Sequence, residues 1–234
     1  MFKTKKLHVG IIMDGNRRWS IKNNIDIFKG YIQGVKNVKK ICIKAMKLKI
    51  SHLSLYAFSK NNFRRSKGEV DYLMQLLRDS INESLKYFQA KEIKFKVIGE
   101  ISKLDKKLQD AISNATKMTQ SNKKLTLYVA INYSGKRDII NACNRYINMA
   151  RNQVDSIHQD LTEEKFSQLL YAKDMPNADI IIRTGKRSSL SDFLLWDVAY
   201  AEFYFMKKMW PDFKGYDLAK IVDNFYTLRR NFGR

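Results

Sequence analysis

Short apolar runs alternate with longer amphipathic stretches along the chain. Five runs read as buried strands: Val9–Met13, Leu53–Phe58, Ile93–Ile98, Leu125–Asn132 and Ile180–Arg183. Phe203–Phe205 is a weaker sixth. Several are rich in β-branched or aromatic residues, and turn formers follow many of them. Between them, apolar residues recur at helical spacing. Gly34–Leu48 sets Val35, Val38, Ile41, Cys42 and Ala45 on one face, and Glu69–Phe88 repeats Val70, Leu73, Leu76, Leu77, Ile81, Leu85 and Phe88. Leu104–Met118, Asp138–Met149 and Tyr216–Leu228 behave alike, and Phe193–Tyr200 reads as a further apolar helix. The polar stretch Asn152–Glu164 reads as a surface loop leading into a helix.

Strand, helix, strand repeated about five times predicts an α/β fold with a mostly parallel sheet flanked by helices. No repeat or internal linker is visible, so residues 1–234 read as one domain. In such folds ligands sit outside the carboxyl ends of the strands. The residues that follow each strand are therefore where chemistry is expected.

Three of those positions are unusual. Strand one runs into Asp14-Gly15-Asn16-Arg17-Arg18-Trp19. Gly15 allows close backbone approach, and a following helix N-terminus presents free N–H groups to an anion. Asp14 is suited to Mg²⁺, which prefers a carboxylate plus substrate phosphate oxygens; it is equally suited to capping a helix beside solvated arginines. Strand two ends in Ser59-Lys60-Asn61-Asn62-Phe63-Arg64-Arg65, and the fifth strand in Arg183-Thr184-Gly185-Lys186-Arg187-Ser188-Ser189-Leu190-Ser191. Read singly, these are a polar turn and a solvated basic loop. Together, three Arg-bearing loops at strand ends with few carboxylates suit a diphosphate substrate and Mg²⁺, because Arg makes planar, multidentate phosphate contacts.

Charge changes this picture little. Lys plus Arg number 44 against 23 Asp plus Glu, a net +21, and residues 1–60 hold 14 bases and two acids. That excess favours nucleic acid, anionic lipid or phosphorylated substrates, and a compositional bias toward Lys, Ile and Asn produces it equally well. A basic nucleic-acid-binding protein is thus a second reading, but no helix-turn-helix, RNP or zinc-finger signature accompanies the charge. Contact of the basic N-terminal third with a membrane surface is a further expectation. Two cysteines cannot build a disulfide framework, the histidines and cysteines lack metal-ligand spacing, and no apolar run approaches a spanning helix. A cytoplasmic protein is expected. G-x-S-x-G and G-x-G-x-x-G are both absent.

The stretch His8-Val9-Gly10-Ile11-Ile12-Met13-Asp14-Gly15-Asn16-Arg17-Arg18-Trp19 closely resembles the opening motif of the cis-prenyltransferases, nearest to bacterial undecaprenyl diphosphate synthases. The likeness continues through Leu55–Ser59, Val97–Gly99, Ala130–Gly135, Ile182–Gly185, Phe193–Trp196, Tyr200–Phe205 and Trp210–Phe213. It implies a homodimer, a six-stranded sheet and a long apolar tunnel. The implied reaction adds isopentenyl diphosphate to an allylic diphosphate, usually farnesyl diphosphate, with Mg²⁺. By resemblance, Asp14 is the essential carboxylate and metal ligand, and Glu202 a second metal-linked acid near the dimer interface. Gly15, Asn16, Arg17, Arg18, Trp19, Tyr31, Ser59 and Arg65 fall to the allylic diphosphate, with Asn62 at the reacting centre. Arg183, Lys186, Arg187, Ser189 and Ser191 fall to isopentenyl diphosphate. Ala57, Leu76, Leu77, Ile98, Leu127 and Val129 are expected to line the tunnel.

The sequence departs from the family pattern in places. Ile27 and Tyr31 stand where Arg and His are usual, and Asn61, Phe63 and Ser66 where Glu, Trp and Pro are common. Lys186-Arg187-Ser188-Ser189 replaces Gly-Glu-x-Arg, so a second substrate Arg is displaced, with Lys186 or Arg187 as substitutes. Leu228 and Asn231 stand where Arg is common, while Arg230, Phe232 and Gly233 fit. Short or irregular prenyl products are therefore an alternative to a long chain.

Overall fold

The computed structural model describes residues 6–152 and 160–228. Asn231, Arg230, Phe232, Gly233 and most of the Asn152–Glu164 stretch lie outside them. The strands are β1 (His8–Ile12), β2 (His52–Ser59), β3 (Ile93–Ile98), β4 (Leu125–Tyr133), β5 (Ile180–Arg183) and β6 (Glu202–Phe205). They form one sheet in the order β3-β4-β2-β1-β5-β6, every pairing parallel. The helices are α1 (Asn16–Lys22), α2 (Ile27–Lys47), α3 (Lys67–Ala90), α4 (Lys106–Met118), α5 (Gly135–Asn152), α6 (Glu163–Ser167) and α7 (Gly215–Thr227).

Alternation along the strands splits the core between the two faces of the sheet. Val9 and Ile11, Leu53 and Leu55, Leu125 and Leu127, and Ile180 and Ile182 join the larger cluster with residues of α2, α3, α4 and α7. Ile12, Tyr56, Tyr128 and Ile181 face the other way, onto Phe193, Leu194 and Val198. Ile98 belongs to this second cluster, so it cannot line a cavity on the α2–α3 face as the sequence led us to expect. At the end of β2 the register against β4 shifts between Tyr56 and Phe58, and Ala57 and Phe58 both turn toward the larger cluster.

Two helical expectations, the start of α2 and a helix over Phe193–Tyr200, differ from the structure for a local reason. Helix α2 begins seven residues early, at Ile27, because the Asp26 carboxylate accepts from the Phe28 N–H at 2.7 Å and caps it. Phe193–Tyr200 is a run of turns, not a helix. Ser191, Asp192 and Leu194 adopt φ of 49°, 69° and 48°, left-handed values that no helix tolerates. The segment is apolar because it packs on the sheet, with Phe193 and Leu194 fully buried.

That segment brings Asp197 near Asp138 of α5, both buried. Burial pushes Asp138 up to about 6, against an accepted bond from the Tyr171 N–H at 2.9 Å. Burial and then the Asp138 charge push Asp197 up to about 7. Carboxyls whose folded pKa lies above the ordinary 3.8 hold protons that the unfolded chain has released. Stability should therefore fall as the pH rises from about 4 to 7. Asp197→Asn is expected to remove much of that loss, gaining about 1–3 kcal/mol at pH 8 and little at pH 4 in urea titrations. A gain of equal size at both pH values would contradict it.

Candidate active site

Consecutive parallel strands leave β1 in opposite directions, β2 on one side and β5 on the other, so the crevice at their carboxyl ends is the sheet's switch point. Asp14 lies there, two residues beyond β1, and Arg183 ends β5. One Asp14 carboxylate oxygen accepts from Arg183 Nη2 at 3.0 Å and the other from Arg18 Nη2 at 3.0 Å. Arg18 also donates to the Gly185 carbonyl at 2.6 Å. Asp14 is thus not a helix cap: Gly15 occupies the N-cap of α1, at φ 110°.

The Arg183 side chain is only 6% exposed. A cation so buried must be paired. Its Nη1 donates to the carbonyl and hydroxyl of Ser189 and to Ser191 Oγ, the last at 2.5 Å, while its Nε has no protein partner. The loop is shaped to fit this arrangement. Thr184 Oγ1 donates to the Asp14 carbonyl at 2.7 Å, and Gly185 sits at φ 87°. A Cβ there would lie 2.7 Å from Arg18 Nη2 and 3.0 Å from the Asp14 carbonyl.

A second charged knot lies across the crevice. Glu69, in the first turn of α3, is buried and accepts from Tyr31 Oη at 2.5 Å and from Arg65 Nη1 at 3.0 Å. Arg65 also donates to Tyr31 Oη at 3.0 Å, and Arg17 lies 3.7 Å from the other Glu69 oxygen. Burial, then the bond to Glu69, pushes the Tyr31 phenol up to about 12, so it stays protonated. Tyr31 ties α2 to α3 here.

Between the two knots is an open cavity of about 660 Å³. Of the residues read from the sequence, Asp14, Asn16, Arg18, Tyr31, Ser59, Asn62, Arg65, Arg183, Arg187 and Ser191 all line it. The others do not. Trp19 donates to Asp212 at 2.8 Å and ties α1 to the chain beyond β6. Arg17 is exposed and faces Glu69, and Ser189 brackets Arg183. Lys186, at φ 64°, turns into a separate basic recess with Phe205 and Lys207. Arg187 reaches both spaces, so of the two substitutes only Arg187 shares the cavity with Asp14. Glu202 pairs with Ile180 at the amino end of β5, the opposite end of the sheet from Asp14. Asn62 has its carboxamide oxygen occupied by the Ser59 N–H at 2.9 Å. Glu69, Tyr56, Lys136 and Asp192 also shape or line the site, and the sequence reading passed over them. Tyr56 Oη donates to the Tyr133 and Ser191 carbonyls, and Asp192 accepts from the Lys136 N–H.

Beneath the polar cavity an apolar one runs between α2, α3 and the sheet, sharing Met13, Asn16, Tyr31, Ala57, Phe58 and Leu73 with it. Leu76, Leu77, Leu127 and Val129 line it, as expected from the sequence. Phe88 and Phe95, stacked at 5.5 Å, also line it. At the junction the Asn16 carboxamide oxygen is buried without a protein partner.

A family model described as putative undecaprenyl diphosphate synthase matches residues 12–233. The chain belongs to the cis-prenyltransferase family. It is similar to an isoprenyl transferase of Rickettsia bellii, 37% identical over 227 residues and covering 97% of each chain. A chloroplastic nerylneryl diphosphate synthase of Solanum lycopersicum is 40% identical over 226 residues, 97% of this chain and 70% of that one. The crystal structure of lavandulyl diphosphate synthase from Lavandula x intermedia, in complex with dimethylallyl diphosphate, superposes with a TM-score of 0.93 at 35% identity, covering 97% and 98% of the two chains. A probable undecaprenyl diphosphate synthase from Campylobacter jejuni superposes at 0.81 with 31% identity, covering 99% and 100%.

As a cis-prenyltransferase the chain acts on prenyl diphosphates, and its crevice has the cations for them. Among the described residues no group of three or more His, Cys, Asp or Glu forms a metal cage. The Asp14 carboxylate, facing an open polar cavity, still fits a magnesium ion that takes its remaining ligands from phosphate and water. The Tyr31–Glu69–Arg65 knot is made within the chain itself, so its contribution to stability can be tested without substrate. Tyr31→Phe should lose about 1.5–3 kcal/mol of stability, because a bond to a buried charged group is lost. A change below about 0.5 kcal/mol in urea titrations would show that the phenol adds nothing.

Proposed function

We propose that the protein is a Mg²⁺-dependent prenyltransferase that joins isopentenyl diphosphate to an allylic diphosphate such as farnesyl diphosphate, building a long polyprenyl diphosphate of the undecaprenyl kind. The observation that carries this reading is the junction of the two cavities. A carboxylate held between two arginines faces a polar space that opens onto an apolar one. The allylic diphosphate would lie against Asp14, Asn16 and Arg18, with its prenyl tail in the apolar cavity. Isopentenyl diphosphate would lie toward Arg187 and Ser191.

No nucleophilic side chain is required. A carbon–carbon bond forms from the isopentenyl double bond as the allylic carbon–oxygen bond breaks, the diphosphate takes that electron pair, and a proton leaves the adjacent methylene. Catalysis then rests on positioning and on neutralising the departing charge. Asp14 would hold Mg²⁺, which when bound neutralises charge on the leaving diphosphate. Arg18 and Arg183 each hold one oxygen of the carboxylate, which stays partly exposed to the cavity, and Arg18 adds its own charge.

Glu202 cannot reach Asp14 within one chain, so any contribution to a metal site would come from a second copy. Edge strand β6 is suited to such a partner, since Phe203 and Phe205 stack there 41% and 43% exposed. A monomeric mass by sedimentation equilibrium would remove that part of the proposal.

Short or irregular products are the second reading. Two observations favour it: the lavandulyl diphosphate synthase fold superposes at 0.93, and the apolar cavity is small, about 130 Å³, with Phe88 and Phe95 among its walls. One assay separates the readings. Purified protein, Mg²⁺ and labelled isopentenyl diphosphate are offered dimethylallyl, geranyl or farnesyl diphosphate, and products are read by mass spectrometry. A ladder toward eleven isoprene units supports the first reading, and branched or short products support the second. In either case Asp14→Ala should lose activity by about a thousandfold or more. Arg187→Ala should raise the KM for isopentenyl diphosphate about tenfold, because one charge-assisted contact is lost, while Lys186→Ala changes it little. Equal effects of the two would contradict the placement of Arg187.

A further inference from the structure

Helix α2 carries six lysines and no acid between Ile27 and Lys47. Its inner face, with Tyr31, Gly34, Val35 and Val38, walls the apolar cavity. Its outer face presents Lys29, Ile32, Lys36, Lys40, Ile43 and Lys47, all exposed. Spacings of three and four residues put them in one stripe, roughly 27 Å long at 1.5 Å per residue. Among the described residues no carboxylate pairs with any of the helix's lysines.

A general excess of lysine does not produce this pattern. Helix α3 has four acids against three bases, α7 two against one, and α4 and α5 each contain an acid. Acids are missing from α2 alone among these long helices. The stripe also contains no arginine and no aromatic residue, the side chains that fork onto phosphates or stack on bases in nucleic-acid sites. Instead, Ile32 and Ile43 stand 37% and 38% exposed between the lysines. Lysines that reach phosphate headgroups, interspersed with isoleucines that reach the acyl boundary, match an anionic bilayer surface.

We propose that the outer face of α2 docks the enzyme on an anionic lipid bilayer. Docking there places the apolar cavity just across α2, about one helix diameter, 10 Å, from the headgroups. Lys39 of α2 and Ser80 and Ser84 of α3 line that cavity and form the polar part of its wall between the two helices. A prenyl chain passing between α2 and α3 would thus leave toward lipid. The docking itself requires no particular product length.

The test is co-sedimentation of the full chain with phosphatidylcholine vesicles, with and without phosphatidylglycerol as a third of the lipid, at low ionic strength. Binding is expected only to the anionic vesicles. Combined Lys36→Glu, Lys40→Glu and Lys47→Glu should weaken it by about tenfold or more, while the matched set Lys106→Glu, Lys107→Glu and Lys117→Glu on α4 should stay within about twofold of wild type. Ile32→Ser with Ile43→Ser should weaken the binding that survives at about 0.15 M salt, where charges are screened. Unchanged prenyl transfer in vesicle-free buffer shows that the variants are folded. Should a triple variant fail to fold, the single changes Lys40→Glu and Lys107→Glu repeat the contrast at about two- to threefold. No binding to anionic vesicles, an equal loss in the α4 set, or a tighter α2-dependent affinity for a single-stranded RNA oligonucleotide would each overturn the proposal.

Discussion

The active crevice is organised around the pairing of Asp14 with Arg183 across the ends of β1 and β5. A guanidinium with 6% of its side chain exposed is stable only if its charge and donors are met. Asp14 meets the charge, and the loop after β5 curls back so that Ser189 and Ser191 meet the donors. That curl needs left-handed residues, and Gly185, Lys186, Ser191 and Asp192 supply them. Leu194, left-handed in its turn, prevents a helix from starting at Phe193. The shape of the loop therefore follows from the burial of one cation.

The pairing also sets the electrostatics. Each Asp14 oxygen is oriented by one arginine, and the carboxylate remains 27% exposed toward the cavity. Asp14 and Asp192 are the acids on the cavity wall, against Arg18, Arg65, Lys136, Arg183 and Arg187. A multiply charged anion is what such a wall attracts. The Glu69 knot moderates the opposite side, where it balances Arg65 and holds α2 to α3 beside the entrance of the apolar cavity.

Much of this was legible in the sequence, because strand alternation and helical spacing are local signals. Alternation places every strand to within a residue at either end, and the rule that ligands bind at strand ends points to Asp14, Arg65 and Arg183. What was not legible depended on long-range geometry. Glu69 reads as an ordinary first-turn acid until Tyr31, 38 residues away, is placed against it. The faces of Lys186 and Arg187 are set by a positive φ, and Ile98 faces away from the cavity because alternation on β3 puts Val97 on the cavity side. Glu202 belongs to a conspicuous motif, yet strand direction carries it to the far end of the sheet. The Asp26 cap of α2 was a local signal that could have been read.

The central claim is that Asp14 links the metal to the diphosphate. Calorimetric titration of a non-cleavable allylic diphosphate analogue tests it most directly, with wild type and Asp14→Asn each measured with and without Mg²⁺. The expected result is that Mg²⁺ tightens binding about tenfold or more in wild type and hardly at all in the variant, since Asn keeps the shape but loses the charge. An equal Mg²⁺ enhancement in both proteins would contradict the assignment of Asp14 and move the metal elsewhere in the crevice.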